Sequence, residues 1–261
     1  MKKLFAVLPL VFALAYAVSQ HQSPATTIAQ TTPAADGMVA TQFRDCRGLF
    51  YQQQPPQIPS AVQGEGVREL CYADFAVLHS RSTRSPVFAA EKLSAASLND
   101  ASDEKRTDHF YEEARLPSAE RGRLDDYRGS GYDRGHMAAA AQRTTPEAMA
   151  QSFSLANMVP QAPENNRGVW ARAVEAATRK YVKRASGDVF VITGPYYDPQ
   201  TPPHYAGNVR VPDALYKLVF DPEAGKSWVY WTANANVRKP ERLSYAELVQ
   251  RTGIHYLPSL Q

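Results

Sequence analysis

Asp133-Arg134-Gly135-His136, then Ser154-Leu155-Ala156-Asn157-Met158-Val159-Pro160-Gln161, then Asn165-Asn166-Arg167-Gly168-Val169-Trp170 are the segments on which the fold turns. Read first as chemistry, they hold a histidine, an arginine and several asparagines in one short region. Breaking a phosphodiester requires a base for the attacking water, neutralisation of anionic oxygens, and a sink for charge on the leaving oxygen. A neutral His136 suits the first task, because its ordinary pKa lies near neutrality. Arg134 offers a fork of fixed positive charge that fits phosphate oxygens. The Asn166 carbonyl is a hard oxygen donor of the kind Mg²⁺ accepts while keeping several waters. Singly these residues say little. A lone histidine is as readily a satisfied buried side chain, and Asn166 stands where a helix N-cap would.

Other chemistries find no support. Arg128-Gly129-Ser130-Gly131 lacks the first glycine of a nucleophile elbow. Gly129, Gly131 and Gly135 have the wrong spacing for a dinucleotide-binding loop, and no phosphate-binding P-loop is present. The histidines at 21, 79, 109, 136, 204 and 255 form no zinc-spaced pair, and two cysteines cannot build a four-thiolate centre.

Outward from the three segments, the pattern is mixed, with strands outnumbering long helices. Leu70 to Ser80 reads as one strand, and Val87 to Leu93 pairs with it after a turn at Ser85-Pro86. Residues 99 to 131 are polar and read as a long surface connection. Thr145-Pro146-Glu147 starts a helix with a hydroxyl cap and proline at its first position. Asn166 to Arg184 has the clearest helical period, with Trp170, Ala173, Val174, Ala177 and Tyr181 on one face. Val189 to Thr193, Leu215 to Phe220 and Ser227 to Ala233 read as strands, the last two joined around Glu223-Ala224-Gly225. Ser244 with Glu247 forms a capping box for a last short helix that Gly253 ends.

The chain of 261 residues is 44% hydrophobic and 21% charged, which is ordinary for a globular protein. Its mean hydropathy of −0.43 excludes a polytopic membrane protein. Lys2 and Lys3 precede an apolar run from Leu4 to Ala17, with small-x-small cleavage patterns at its end. That run is shorter than the roughly 20 residues needed to span a bilayer. Residues 1–17 are therefore expected to be a cleaved signal peptide, 18–40 a flexible linker rich in Gln, Thr and Pro, and 41–261 one folded domain. The expected location is periplasmic or secreted, with no membrane attachment after cleavage. Removing Lys2 and Lys3 takes the formal net charge from +3 to +1, so overall charge is no argument for nucleic acid. In an oxidising compartment Cys46 and Cys71 can pair; two separate buried thiols are the other reading. Arg167, Arg172, Arg179, Lys180, Lys183 and Arg184 crowd one helix, a face that is either simply solvated or tracks phosphates.

Taken jointly, in their order and spacing, DRGH, NMVPQ and NRGVW make the chain resemble the DNA/RNA non-specific endonuclease family, the ββα-metal or His-Me finger nucleases. The resemblance runs from about Cys46 to the C-terminus and is densest from Tyr127 to Arg184. It implies an α+β fold: a ββα-metal site beside a central antiparallel sheet flanked by helices. It implies Mg²⁺ or Mn²⁺ as cofactor and DNA and RNA as substrates. Since an active nuclease would threaten its host before export, a companion inhibitor protein is a further expected partner. Residue by residue, it makes His136 the general base, Arg134 a phosphate contact, and Asn157 a holder of the catalytic geometry. Asn166 becomes the direct metal ligand, and Arg84 and Arg167 substrate contacts. Asp133 is a brace, and Cys46 with Cys71 a disulfide of exported members.

The sequence departs from the family at one point. The family places a glutamate eight residues after the metal-binding asparagine, to hold a metal-bound water. Here that position is Val174, and Glu175 follows it. One residue on an α-helix is a rotation of about 100°. Either an irregularity re-aims Glu175, or the metal is held without it, in which case a catalytically weak nucleic-acid-binding protein is the alternative function.

Overall fold

The computed structural model describes residues 36–101 and 105–260. The expected signal peptide and residues 18–35 of the expected linker lie outside them. Seven strands form one antiparallel sheet, ordered across the sheet as Glu241–Leu243, Lys226–Ala233, Ala214–Asp221, Val189–Tyr196, Ser85–Leu93, Phe75–Ser80 and Val67–Cys71. Consecutive residues in its central strands alternate between two apolar layers. Phe75, Val77, Ala89, Val191, Leu215 and Val219 enter one. Ala76, Leu78, Ala90, Ile192, Tyr216 and Leu218 enter the other. Every residue of Phe75–Ser80 is consequently buried, the pattern of a strand covered on both faces.

Different parts of the chain cover the two faces. Trp170, Val174 and Val182 of the long helical region pack on the first layer with Met137 and Val159. Phe43, Phe50 and Ile58 from the start, and Leu248, Ile254 and Tyr256 from the end, close the second. Burial of each such large side chain is worth about 1.5–3 kcal/mol. The last helix, Tyr245–Thr252, has the expected capping box between Ser244 and Glu247, and Gly253 ends it in the left-handed conformation at φ 69°. Thr145 caps Pro146–Ser152 by accepting from the Ala148 amide.

Several expectations are corrected. Leu70 to Ser80 is two strands, reversed at Tyr72–Asp74, where the Tyr72 amide donates to the Phe75 carbonyl at 2.9 Å. The next reversal falls at Arg81–Arg84 rather than Ser85-Pro86, with Arg84 at φ 54°. Pro86 lies inside the strand where the register shifts between Leu78 and His79, so its missing N–H is tolerated at an irregularity. The linker boundary moves as well: Met38–Ala40 pairs with Gln57–Pro59. The polar connection is not all surface either. Glu113, Leu116, Glu120, Asp126 and Tyr127 are buried.

Cys46 and Cys71 form a disulfide with Cα atoms 5.8 Å apart. It ties the N-terminal segment to the end of the edge strand.

Candidate active site

A second, two-stranded antiparallel sheet carries the motif residues. Asp133–His136 pairs with Met158–Gln161, placing Arg134 opposite Pro160 and His136 opposite Met158. A helical region beginning at Asn165 follows directly, which completes a ββα unit. Gly135 is required here, because a Cβ would meet the Gln161 side chain well inside contact distance. Gln161 in turn donates to Asn165 Oδ1 at 2.7 Å, and Asn165 donates to the Ala233 carbonyl at 2.8 Å. Asn234 donates to the carbonyls of Pro160 and Pro212. The unit is thus bolted to the end of the large sheet.

Asn157 holds the loop after His136. It is fully buried, its Oδ1 accepts from the Ala138 amide at 2.9 Å, and its Nδ2 donates to the carbonyls of Ala138 and Ser152. With those bonds made inside the protein, it fixes the backbone that follows His136.

A cavity of about 620 Å³ opens in front of this unit, lined among others by Arg106, Phe110, Asp133, Arg134, Asn166 and Arg167. His136 is not itself in that lining but adjoins it through Phe110, 5.8 Å away between ring centroids; it is 8% exposed, with the Phe153 ring 5.0 Å edge-on. Its Nε2 is buried without a hydrogen-bond partner. Burial first, and then the charges of Arg106, Arg143 and Arg134, pull its pKa down to about 3. The imidazole is therefore neutral at physiological pH, with a nitrogen free to accept a proton.

Asp133 organises the far wall. It accepts from Asn166 Nδ2 at 2.9 Å and from Arg167 Nε at 2.8 Å, with a second bond from Arg167 Nη2. Arg167 lines the cavity but is committed to this carboxylate. Arg134 lies over the Phe110 ring, 4.1 Å from its centroid. Arg84, expected as a second phosphate contact, does not line this cavity. Arg106 lines it instead, 5.0 Å over the Phe153 ring that also flanks His136. Sequence reading missed Arg106 because it falls in the polar stretch without period. The aromatic pair Phe110-Tyr111, four and five residues on, was the one signal there.

The helical region containing Val174 and Glu175 is not an ordinary α-helix. Asn165–Glu175 is π-wound, with Gly168 departing from helical geometry at φ −100° and ψ −106°. The Ala176 amide donates five residues back, to the Ala171 carbonyl. In an α-helix, nine residues from Asn166 would be about two and a half turns, the opposite side. Wider i→i+5 turns bring that count closer to two. Val174 is fully buried in the core, whereas Glu175 feels the charges of Lys217, Arg179 and Arg106. Burial raises its pKa, and those cations oppose the rise. Ordinary α-winding resumes over Ala176–Val182.

Behind the site lies a layer of buried charge. Arg143 is fully buried and donates to Asp74 and Glu91. Lys217, also fully buried, donates to Thr193 at 2.5 Å and stands 3.9 Å from Glu91. Among the described residues no three His, Cys, Asp or Glu side chains gather as a metal cage. The donors that line the cavity are an amide oxygen and a carboxylate. That set fits a hard cation that keeps most of its waters, and does not fit zinc.

Comparison with known proteins follows the same lines. Residues 56–261 match the family described as DNA/RNA non-specific endonuclease. The human mitochondrial nuclease EXOG is 33% identical over 207 residues, covering 71% of this chain and 55% of that protein. Nuclease C1 of Cunninghamella echinulata var. echinulata is 37% identical over 169 residues, covering 60% of this chain and 66% of that one. Nuclease 1 of Schizosaccharomyces pombe, also mitochondrial, is 34% identical over 163 residues, covering 56% and 49%. The chain spans about half to two thirds of the length of these relatives. Among solved structures, EndoG in its complex with EndoGI matches with a TM-score of 0.64 at 26% identity, covering 76% of this chain and 87% of that one.

Proposed function

Because the chain belongs to the DNA/RNA non-specific endonuclease family, we propose that it is a metal-dependent endonuclease hydrolysing phosphodiester bonds in DNA and RNA. The observation that carries this reading is His136. Its buried, unpartnered, neutral nitrogen lies beside a cavity bordered by Arg106, Arg134 and Asn166.

Arg134 and Arg106 hold the non-bridging phosphate oxygens. That anion offsets two of the three charges that depress the imidazole pKa, so substrate binding makes His136 a stronger base. His136 Nε2 takes a proton from water as the water oxygen bonds to phosphorus. The P–O bond to the leaving oxygen breaks, and that oxygen acquires a proton from solvent. Asn166 Oδ1 and, through water, Glu175 would hold a divalent cation, Mg²⁺ or Mn²⁺, which supplies positive charge to the phosphate and leaving oxygen when bound. Contacts to phosphate rather than bases support low sequence specificity. The alternative of a silent binder drew on Val174. The wide turn that carries Glu175 toward Arg106 and Arg179 favours catalysis.

The disulfide supports export to an oxidising compartment. An inhibitor partner is part of the proposal, since EndoG is known in complex with an inhibitor. The test is digestion of plasmid and of RNA by the protein with Mg²⁺, with Mn²⁺ and with EDTA, beside His136→Ala. Metal-dependent cleavage of both polymers, lost in the variant, is expected. No cleavage by folded protein with any divalent metal would overturn the reading.

A further inference from the structure

A second cavity of about 650 Å³ adjoins the first, and Arg106 lines both. Arg179, Lys180, Lys183 and Arg184 edge it on the helical side. Leu98, Ala101 and Met149, each largely buried, form part of its floor. Among the described residues, Lys180, Lys183 and Arg184 pair with no carboxylate, and Arg179 stands 3.8 Å from Glu175. A row of cations above an apolar floor differs from the surface a duplex needs. A duplex offers phosphates outward and keeps its bases inside, so it gains nothing from the floor. A single strand offers phosphates to the cations and unpaired bases to the apolar residues.

We propose that this groove is a binding track for single-stranded nucleic acid, continuous with the catalytic cavity through Arg106. The inference rests on the nuclease reading above and adds an extended subsite to it. From Arg179 to Arg184 the helix advances about 7.5 Å at 1.5 Å per residue. At 3.4 Å per stacked nucleotide, that length accommodates about two nucleotides beyond the scissile phosphate. Arg106 is the joint, since its guanidinium belongs to both cavities and abuts Phe153 beside His136.

The experiment uses His136→Ala protein, which binds without cutting, and fluorescently labelled oligothymidylates of two, four, eight and twelve nucleotides. Anisotropy titrations at several salt concentrations are compared with the same protein carrying Lys183→Ala and Arg184→Ala. Both residues are exposed, and circular dichroism checks that the fold is kept. Affinity is expected to rise with length up to the span of the groove, and the double variant to lose about tenfold on the longer strands and little on the dinucleotide. Its log–log salt slope should fall by about 1.4, two contacts at roughly 0.7 each. Equal binding of all lengths by both proteins overturns the track. Equal losses on single strands and on a duplex of the same length overturn its single-strand character. Failure of the nuclease reading shows separately, as absence of plasmid and RNA cleavage by the parent chain.

Discussion

Asn166 donates its amide hydrogen to the Asp133 carboxylate across 2.9 Å. That bond settles which end of the amide faces away from the carboxylate, leaving Oδ1 as the atom available to a cation. The acidic member of DRGH thus acts through the asparagine of NRGVW, from one strand of the ββα unit to its helix. In Asp133→Ala the amide loses this orientation, and Arg167 is freed as well. The expected outcome is a rise of about tenfold in the Mg²⁺ concentration giving half-maximal nicking, the usual size for loss of a partner behind a metal ligand. Metal titration of the nicking rate measures it, and an unchanged midpoint would dispose of the orienting role.

Arg106 and Arg84 make opposite predictions. Arg106→Ala removes a charge at the cavity beside His136 and is expected to lower cleavage about 100-fold, in line with removal of one stabilising group. Arg84→Ala, at a turn whose side chain does not line that cavity, is expected to cost no more than about threefold. Initial rates on one plasmid preparation decide between them, and a reversed order would restore Arg84 to the site.

Glu175 and Val174 are likewise separable. Glu175→Gln is expected to reduce activity while leaving thermal stability close to the parent. Val174→Glu drives a carboxylate into the apolar layer around Trp170 and Val182. Its expected cost is about 3 kcal/mol or more, the scale of an unpaired buried charge. Urea unfolding reads both. A stable, active Val174→Glu protein would contradict the π-winding.

His79 is fully buried in a central strand, and burial pulls its pKa down to about 4 against the opposing charges of Glu120 and Glu113. The unfolded chain takes up this proton near pH 6.5, the folded chain only near 4. The unfolded state therefore binds more protons between those values, and stability falls as pH drops through them. The contribution is complete above about pH 6.5 and amounts to about 3 kcal/mol lost by pH 4. Urea midpoints from pH 7 to 4 should fall less steeply in His79→Gln, and parallel curves would refute the assignment.

Reducing the Cys46–Cys71 bond releases a loop of separation 25. Loop-closure entropy puts the expected loss at about 3 kcal/mol. Scanning calorimetry with and without reductant should show a melting temperature lower by about 6–12 °C.

The three long strands from Val189 onward were legible because each has its own run of β-branched and aromatic residues, and Gly225 marks the turn between two of them; the short ones at Tyr205–Ala206, Val209–Arg210 and Glu241–Leu243 carry no such run. Leu70 to Ser80 was not divisible, because a tight reversal at Tyr72–Asp74 contains neither glycine nor proline. His136, Arg134 and Asn166 were legible as residue types with a task. Arg106 was not, since only tertiary folding brings it beside the histidine. The commitment of Arg167 to Asp133, and of Asn157 to the Ala138 backbone, also depends on contacts between segments that spacing alone does not describe. The direction of Glu175 depends on backbone winding, which side-chain periodicity assumes rather than reveals.

That winding bears on how kinship among such chains is judged. An extra residue in a rigid α-helix would turn every later side chain away from its neighbour, and Ala177 and Tyr181 would leave the apolar layer they pack against. Here the backbone is locally swollen over Asn165–Glu175, and the downstream half of the helix keeps its seat. A comparison that counts residues from Asn166 reaches Val174 and scores a lost carboxylate. One that counts revolutions reaches Glu175 and scores a preserved one.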